Sequence, residues 1–266
     1  MLLGRHTPVL KEYAPYILQS IPRTTARQQL GIGTTLPFCG ADLWHAYEMS
    51  WLDTTGKPVV RVGRFTVPCS SPNIVESKSF KLYLNSLNST RFSALEDARE
   101  IIIKDISRAA GQTIQLQLLD VDDSSLAGVP LTGQCLDDVP VTAWHGPPTA
   151  GQLQVDSGRI VEELLYSHLL RSLCPVTGQP DWATVWLHYR GAALERSALL
   201  QYIIAFREHQ EFHEQCAERM FCDIWRCCEP QFLHLQAFYT RRGGLDINPF
   251  RSSDPLARPL PRQNRQ

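Results

Sequence analysis

Ser93–Asp120 reads SALEDAREIIIKDISRAAGQTIQLQLLD and changes period partway along. Its first part places apolar residues at helical spacing. Ser93 and Glu96 have the form of a capping box at the start, and Gly111 can end the helix. From Thr113 the sequence TIQLQLLD alternates cleanly, as a half-buried strand does. Upstream, Lys57–Pro68 (KPVVRVGRFTVP) is β-branched and partly alternating, which is typical of a strand. Between these, Ser79–Leu87 (SFKLYLNSL) is a short alternating stretch that reads as another strand. The first half therefore reads strand, strand, helix, strand.

Turn formers interrupt the chain at residues 120–152, in DVDDSSLAGVPLTG and then WHGPPTAGQ. Beyond them the same order can be read again. Arg159–Leu173 (RIVEELLYSHLLRSL) fits both helical and strand periods, and Trp182–Arg190 (WATVWLHYR) reads as a strand. Leu194 to about Cys228 is helical in spacing with a break, and Gln231–Arg242 (QFLHLQAFYTRR) returns to strand. No sequence identity between the halves is visible, so the repeat is one of architecture. Antiparallel sheet backed by helices, twice over, is an α+β protein. The expected modules are residues 1–140 and 141–266.

The 266 residues are 43% hydrophobic and 20% charged, enough to bury a real core. With 26 basic and 27 acidic residues, the chain lacks the basic excess usual in proteins that bind nucleic acid directly. No apolar run approaches the length of a membrane span. The start, MLLGRHTPVLKEYAP, is broken too early by charge and proline for a signal peptide, so the expected location is the cytoplasm. There the eight cysteines stay reduced, and none forms a CxxC pair of the zinc-ribbon kind. The basic tail after Arg251 is expected to fray.

Four stretches carry candidate chemistry. Ser172–Val185 (SLCPVTGQPDWATV) sets Cys174 before a proline and Asp181 after a turn-forming run. Cys174 is either a buried filler or a nucleophile held out by that turn. Val75–Ser86 (VESKSFKLYLNS) groups Glu76, Lys78 and Lys81 around serines, as a solvated edge strand would. Arg207–Phe221 (REHQEFHEQCAERMF) places His209, His213 and Cys216 at i, i+4 and i+7 on one helix face. That face could gather a metal or simply be amphipathic, and the stretch lacks the second histidine of HExxH. Tyr239–Phe250 (YTRRGGLDINPF) offers two arginines and two glycines, suited either to a phosphate or to a plain hairpin turn. Neither GxGxxG nor GxxxxGK[ST] occurs.

Taken together, ESKSFKLYLNSLN, CPVTGQPDW, FHEQCAERMF and RRGGLDINPF resemble the signature blocks of the NADPH-dependent nitrile reductase family QueF, in its long two-module form. The likeness runs from about Gly31 to Ser252. It implies two tandem tunnelling-fold modules, a homodimer, and reduction of 7-cyano-7-deazaguanine to 7-aminomethyl-7-deazaguanine on the way to queuosine in transfer RNA. Two NADPH would be consumed per nitrile, and no metal is implied.

By the same resemblance, Cys174 is the nucleophile that forms a covalent thioimide, and Asp181 is the general acid-base residue. Glu76 and Glu214 hold the deazaguanine, with Phe212 against the base and His213 in the pocket. Val75 and Ser77 bring backbone to the substrate. Ser77, Lys78, Arg242 and Gly243 contact NADPH. Two rivals remain at this level: a zinc hydrolase acting on GTP or a pterin in the manner of GTP cyclohydrolase I, and a deazapurine-binding protein without chemistry.

Overall fold

The computed structural model describes residues 12–142 and 146–266. The reading of the first eleven residues, and of Trp144 and His145 in the turn-forming run, lies outside these. In chain order the elements are β1 (Ser20–Pro22), α1 (Thr24–Gln29), β2 (Cys39–Leu52), β3 (Pro58–Pro68), β4 (Asn73–Val75), α2 (Ser77–Ser86), α3 (Leu95–Ala110) and β5 (Gln115–Leu119). After the connecting run come β6 (Gln134–Cys135), β7 (Val155–Ser167), β8 (Arg171–Leu173), β9 (Pro180–Leu194), α4 (Arg196–Ile204), α5 (His213–Cys228), β10 (Phe232–Tyr239) and β11 (Leu245–Ser252). This is an α+β fold.

A nine-stranded sheet carries the molecule, in the order β5-β3-β2-β11-β10-β9-β7-β6 with β8 also paired to β9, and β1 and β4 form a separate two-stranded sheet. Every pairing in the larger sheet is antiparallel except β6 with β7. The last strand, β11, pairs with β2 and so joins the two halves edge to edge. The β10–β11 turn is the two-residue kind. Arg242 and Leu245 exchange backbone hydrogen bonds at 2.8 and 3.1 Å across Gly243 and Gly244, whose φ angles are +58° and +80°. Both central positions need positive φ, which is why two glycines stand there.

Helices pack over two buried clusters. The first gathers Trp44, Phe65, Phe80, Tyr83, Ile102, Ile106 and Leu116, and is completed by Leu245 and Ile247 of β11. The second gathers Val185, Leu187, Tyr189, Leu199, Phe206, Phe221 and Leu235, together with Leu30, Ile32, Phe38 and Cys69 from the first half. Each half thus lends a segment to the other's core.

The structure corrects several expectations. SFKLYLNSL is not a strand but most of α2. Phe80, Tyr83, Leu84 and Leu87 are buried at i, i+3, i+4 and i+7, so the helical face decides. The cap of α3 falls one residue later than Ser93: Ala94 N donates to Asp97 Oδ2 at 3.0 Å, while Glu96 pairs with Arg99. The ambiguous Arg159–Leu173 run lies in strands β7 and β8, with His168–Leu170 between them. The basic tail does not fray. Leu260 exchanges hydrogen bonds with the Gln236 side chain, Arg262 O accepts from Val129 N at 2.9 Å, and Arg265 donates to His168 O at 2.7 Å.

Candidate active site

The opening of β9 folds back on β8, with Ser172 opposite Asp181 and Leu173 opposite Pro180. The loop between is closed at its base. Cys174 N donates to Gln179 O at 2.9 Å, and Gly178 N donates to Cys174 O at 2.8 Å, with Gly178 at φ +67°. Leu173 is tied on its other side to the segment leading into α5, through His209 O and Glu211 N. The proline, threonine and glycine of the loop therefore turn the chain so that Cys174, half-buried, and Asp181, buried, face one space.

Asp181 is gripped from two sides. His213 Nε2 lies 3.2 Å from Oδ2, and the Arg242 guanidinium pairs with Oδ1. Burial pushes its carboxyl up, but His213 and Arg242 outweigh burial and hold it below the usual carboxylate range. The His213 ring lies flat on Tyr239, centroids 3.7 Å apart and planes within 6°. This stacking fixes the imidazole at the N-terminus of α5. Its Nδ1 is buried without a hydrogen-bond partner among the described residues.

The two glutamates reach the same space from different halves. Glu76 is the N-cap of α2, where its carboxylate accepts from Lys78 N at 2.9 Å and Ser79 N at 2.7 Å. Glu214 sits in the first turn of α5, only 2% exposed, and its Oε1 has no hydrogen-bond partner among the described residues. Burial pushes its carboxyl up to about 8, Asp42 adding to the effect and Arg23 and Arg251 opposing it. Unliganded, Glu214 holds its proton at neutral pH. Its environment is a buried polar group awaiting a partner.

A cavity of about 300 Å³ is lined by every residue singled out for catalysis, substrate or cofactor: Val75, Glu76, Ser77, Lys78, Cys174, Asp181, Phe212, His213, Glu214, Arg242 and Gly243. Sequence reasoning missed other parts of its wall. Trp44 comes from β2, Leu245 and Ile247 from β11, and Thr240 from beside the candidates, while Lys81, grouped with Glu76 and Lys78 in the sequence, lines it too. The β2 strand went unread because a bulge between Ala46 and Met49 breaks its alternation. The His209, His213, Cys216 face does not exist. The helix begins at His213, so His209 lies outside it and pairs with Glu211, while Cys216 is wholly buried.

Lys78, Lys81 and Arg242 line the cavity and could meet a cofactor phosphate, with Lys81 also paired to Glu48 at 3.2 Å and Arg242 to Asp181. Gly243 lies against the Lys81 side chain, which an added Cβ would approach to 3.3 Å. These residues fit an anionic cofactor.

Sheet, helices and cavity define an α+β protein with a thiol and a buried carboxylate facing one cleft lined from both halves. A family model described as nitrile reductase, 7-cyano-7-deazaguanine-reductase N-term, matches residues 10–118, and one described as QueF-like protein matches residues 180–257. The NADPH-dependent 7-cyano-7-deazaguanine reductase of Stenotrophomonas maltophilia (strain K279a) is 50% identical over 97% of this chain and 94% of its own length. That of Dechloromonas aromatica (strain RCB) is 51% identical over 97% and 92%. That of Chromohalobacter salexigens is 48% identical over 97% and 94%. The chain belongs to the QueF family of 7-cyano-7-deazaguanine reductases.

Proposed function

We propose that the protein reduces 7-cyano-7-deazaguanine to 7-aminomethyl-7-deazaguanine with two NADPH, a step of queuosine biosynthesis. The observation that carries this reading is the convergence of Cys174, Asp181, Glu76 and Glu214 on one cavity in a chain of this family. Cys174 acts as nucleophile and Asp181 as its proton partner. His213 and Arg242 keep Asp181 ionised, the state in which it can accept the thiol proton. The sulfur bonds to the nitrile carbon, and the proton passes from Asp181 to the nitrile nitrogen, leaving a covalent thioimide.

NADPH supplies a hydride for each of the two reductions. Lys78 and Arg242 balance its phosphates, while Ser77 and Gly243 let it approach closely. Glu76 and Glu214 accept from the N–H donors of the base, Phe212 lies against its face, and His213 shares in proton delivery. Val75 and Ser77 offer backbone groups beside it.

In this reading residues 1–140 and 141–266 are tunnelling-fold modules that trade β11 and the Leu30–Phe38 segment. The protein works in the cytoplasm as a homodimer without touching nucleic acid. No described helix is long and apolar enough to cross a membrane. The test is NADPH oxidation by the purified protein. It should depend on added 7-cyano-7-deazaguanine and consume two NADPH per nitrile. Oxidation indifferent to the nitrile, or none with it, would overturn the assignment.

A further inference from the structure

At the far edge of the sheet Cys135 ends β6, Asp137 follows two residues on, and His168 stands just past β7. One ligand atom from each lies within 4.8 Å of the other two. None of the three lines the cavity. Their separation in sequence hides the grouping, which the pairing of β6 with β7 creates. Gly133 makes that pairing possible, since a Cβ there would stand 2.4 Å from Leu164 O.

Two of the three side chains, Asp137 and His168, are held in place by neighbouring hydrogen bonds. Asp137 Oδ1 accepts from the Ser167 hydroxyl at 2.7 Å and from His168 N at 3.1 Å. His168 Nδ1 meets Thr184 Oγ1 at 2.8 Å, on a residue only 2% exposed, and the Tyr166 ring stands edge-on to the imidazole at 5.3 Å. Cys135 itself is exposed, so an ion has a way in. Metal-binding imidazoles and carboxylates are oriented by outer hydrogen bonds of this kind. One thiol, one imidazole and one carboxylate suit zinc in tetrahedral geometry, with water as the fourth ligand.

We propose that Cys135, Asp137 and His168 form a site for a zinc-type divalent cation that staples the segment between the halves to the sheet edge. On binding, the Cys135 S–H bond breaks, the sulfur bonds to the ion, and the proton passes to solvent without any change of oxidation state. The strand it would secure has two residues, so a crosslink from 135 and 137 to 168 adds to a weak pairing.

The site is independent of the reductase reading, and the experiment keeps the two apart. Full-length protein, reduced and stripped by chelator, is titrated with zinc chloride by calorimetry and by thermal unfolding. Nitrile reduction is assayed on the stripped protein separately. The expected result is one zinc per chain and a raised unfolding midpoint. Both should be lost in Cys135→Ser and His168→Ala, and zinc affinity should fall about 10- to 100-fold in Thr184→Val. Cobalt(II) bound to the wild-type protein should show thiolate-to-metal absorption, a readout that needs no variant. No stoichiometric zinc, zinc bound equally by both ligand variants, or a cobalt spectrum without a thiolate band would each overturn the proposal.

Discussion

Asp181 and Glu214 are both buried acids, yet their surroundings push them in opposite directions. Hydrogen bonds from His213 and the Arg242 guanidinium hold Asp181 below the usual carboxylate range, whereas Glu214 Oε1 has no hydrogen-bond partner among the described residues and burial pushes its carboxyl up to about 8. Asp181→Asn keeps the shape but cannot move a proton, so turnover should fall about 10²- to 10⁴-fold with substrate affinity largely kept. Near wild-type turnover in that variant would make Asp181 structural. In the proposed pocket Glu214 accepts from the base as a carboxylate, so binding should release a proton. On a Cys174→Ala background, affinity for the nitrile should therefore rise by up to about tenfold per pH unit from pH 6 towards 8. Calorimetry across that range tests it, and the slope should vanish in Glu214→Gln. A flat profile in the parent would show that Glu214 binds as the neutral acid or not at all.

At the scale of elements, α2 ties folding to the cavity because Glu76, which lines it, also caps the helix with its carboxylate. Glu76→Ala should cost about 0.5–2 kcal/mol in stability through the lost cap, measured by urea unfolding, as well as weakening substrate binding. Unchanged stability would mean that the cap is replaced by solvent. This element also shows where sequence reading fails. Phe80, Leu82 and Leu84 alternate by chance along what is a helix, and only the deeper burial of Tyr83 and Leu87 distinguishes the period. Strands β3, β5, β9 and β10 were legible from alternation or β-branching, as was the body of α3. The cap of α3 was not, since Ser93 with Glu96 and Ala94 with Asp97 offer competing capping pairs. The tail was misread because its anchors, Gln236 and Val129, lie far away in sequence.

Across the whole molecule a buried charge network pins the halves together behind the cavity. Arg251, fully buried, reaches Asp42 at 2.8 Å and Glu218 at 2.9 Å. Arg23 meets Asp42 at 2.5 Å, and Arg27 grips Glu218 at 2.8 and 2.9 Å. Removing one charge strands the others, so Glu218→Gln should destabilise by about 3–5 kcal/mol in chemical denaturation. A loss under 1 kcal/mol would contradict this. None of the network is legible in the sequence, because its members share no motif and come from the start of the chain, β2, α5 and β11. The candidate site was legible for a different reason. Its four blocks resemble a known family in order and content, whereas their spacing alone left Cys174 and Glu76 open. Spacing could not show that blocks from both halves face one cavity.

The central claim is that Cys174 bonds to the nitrile carbon, and intact-mass spectrometry tests it most directly. Protein mixed with 7-cyano-7-deazaguanine in the absence of NADPH should gain the mass of one substrate molecule, and Cys174→Ala should gain none. An unmodified wild-type protein, or an adduct that persists in Cys174→Ala, would contradict the account.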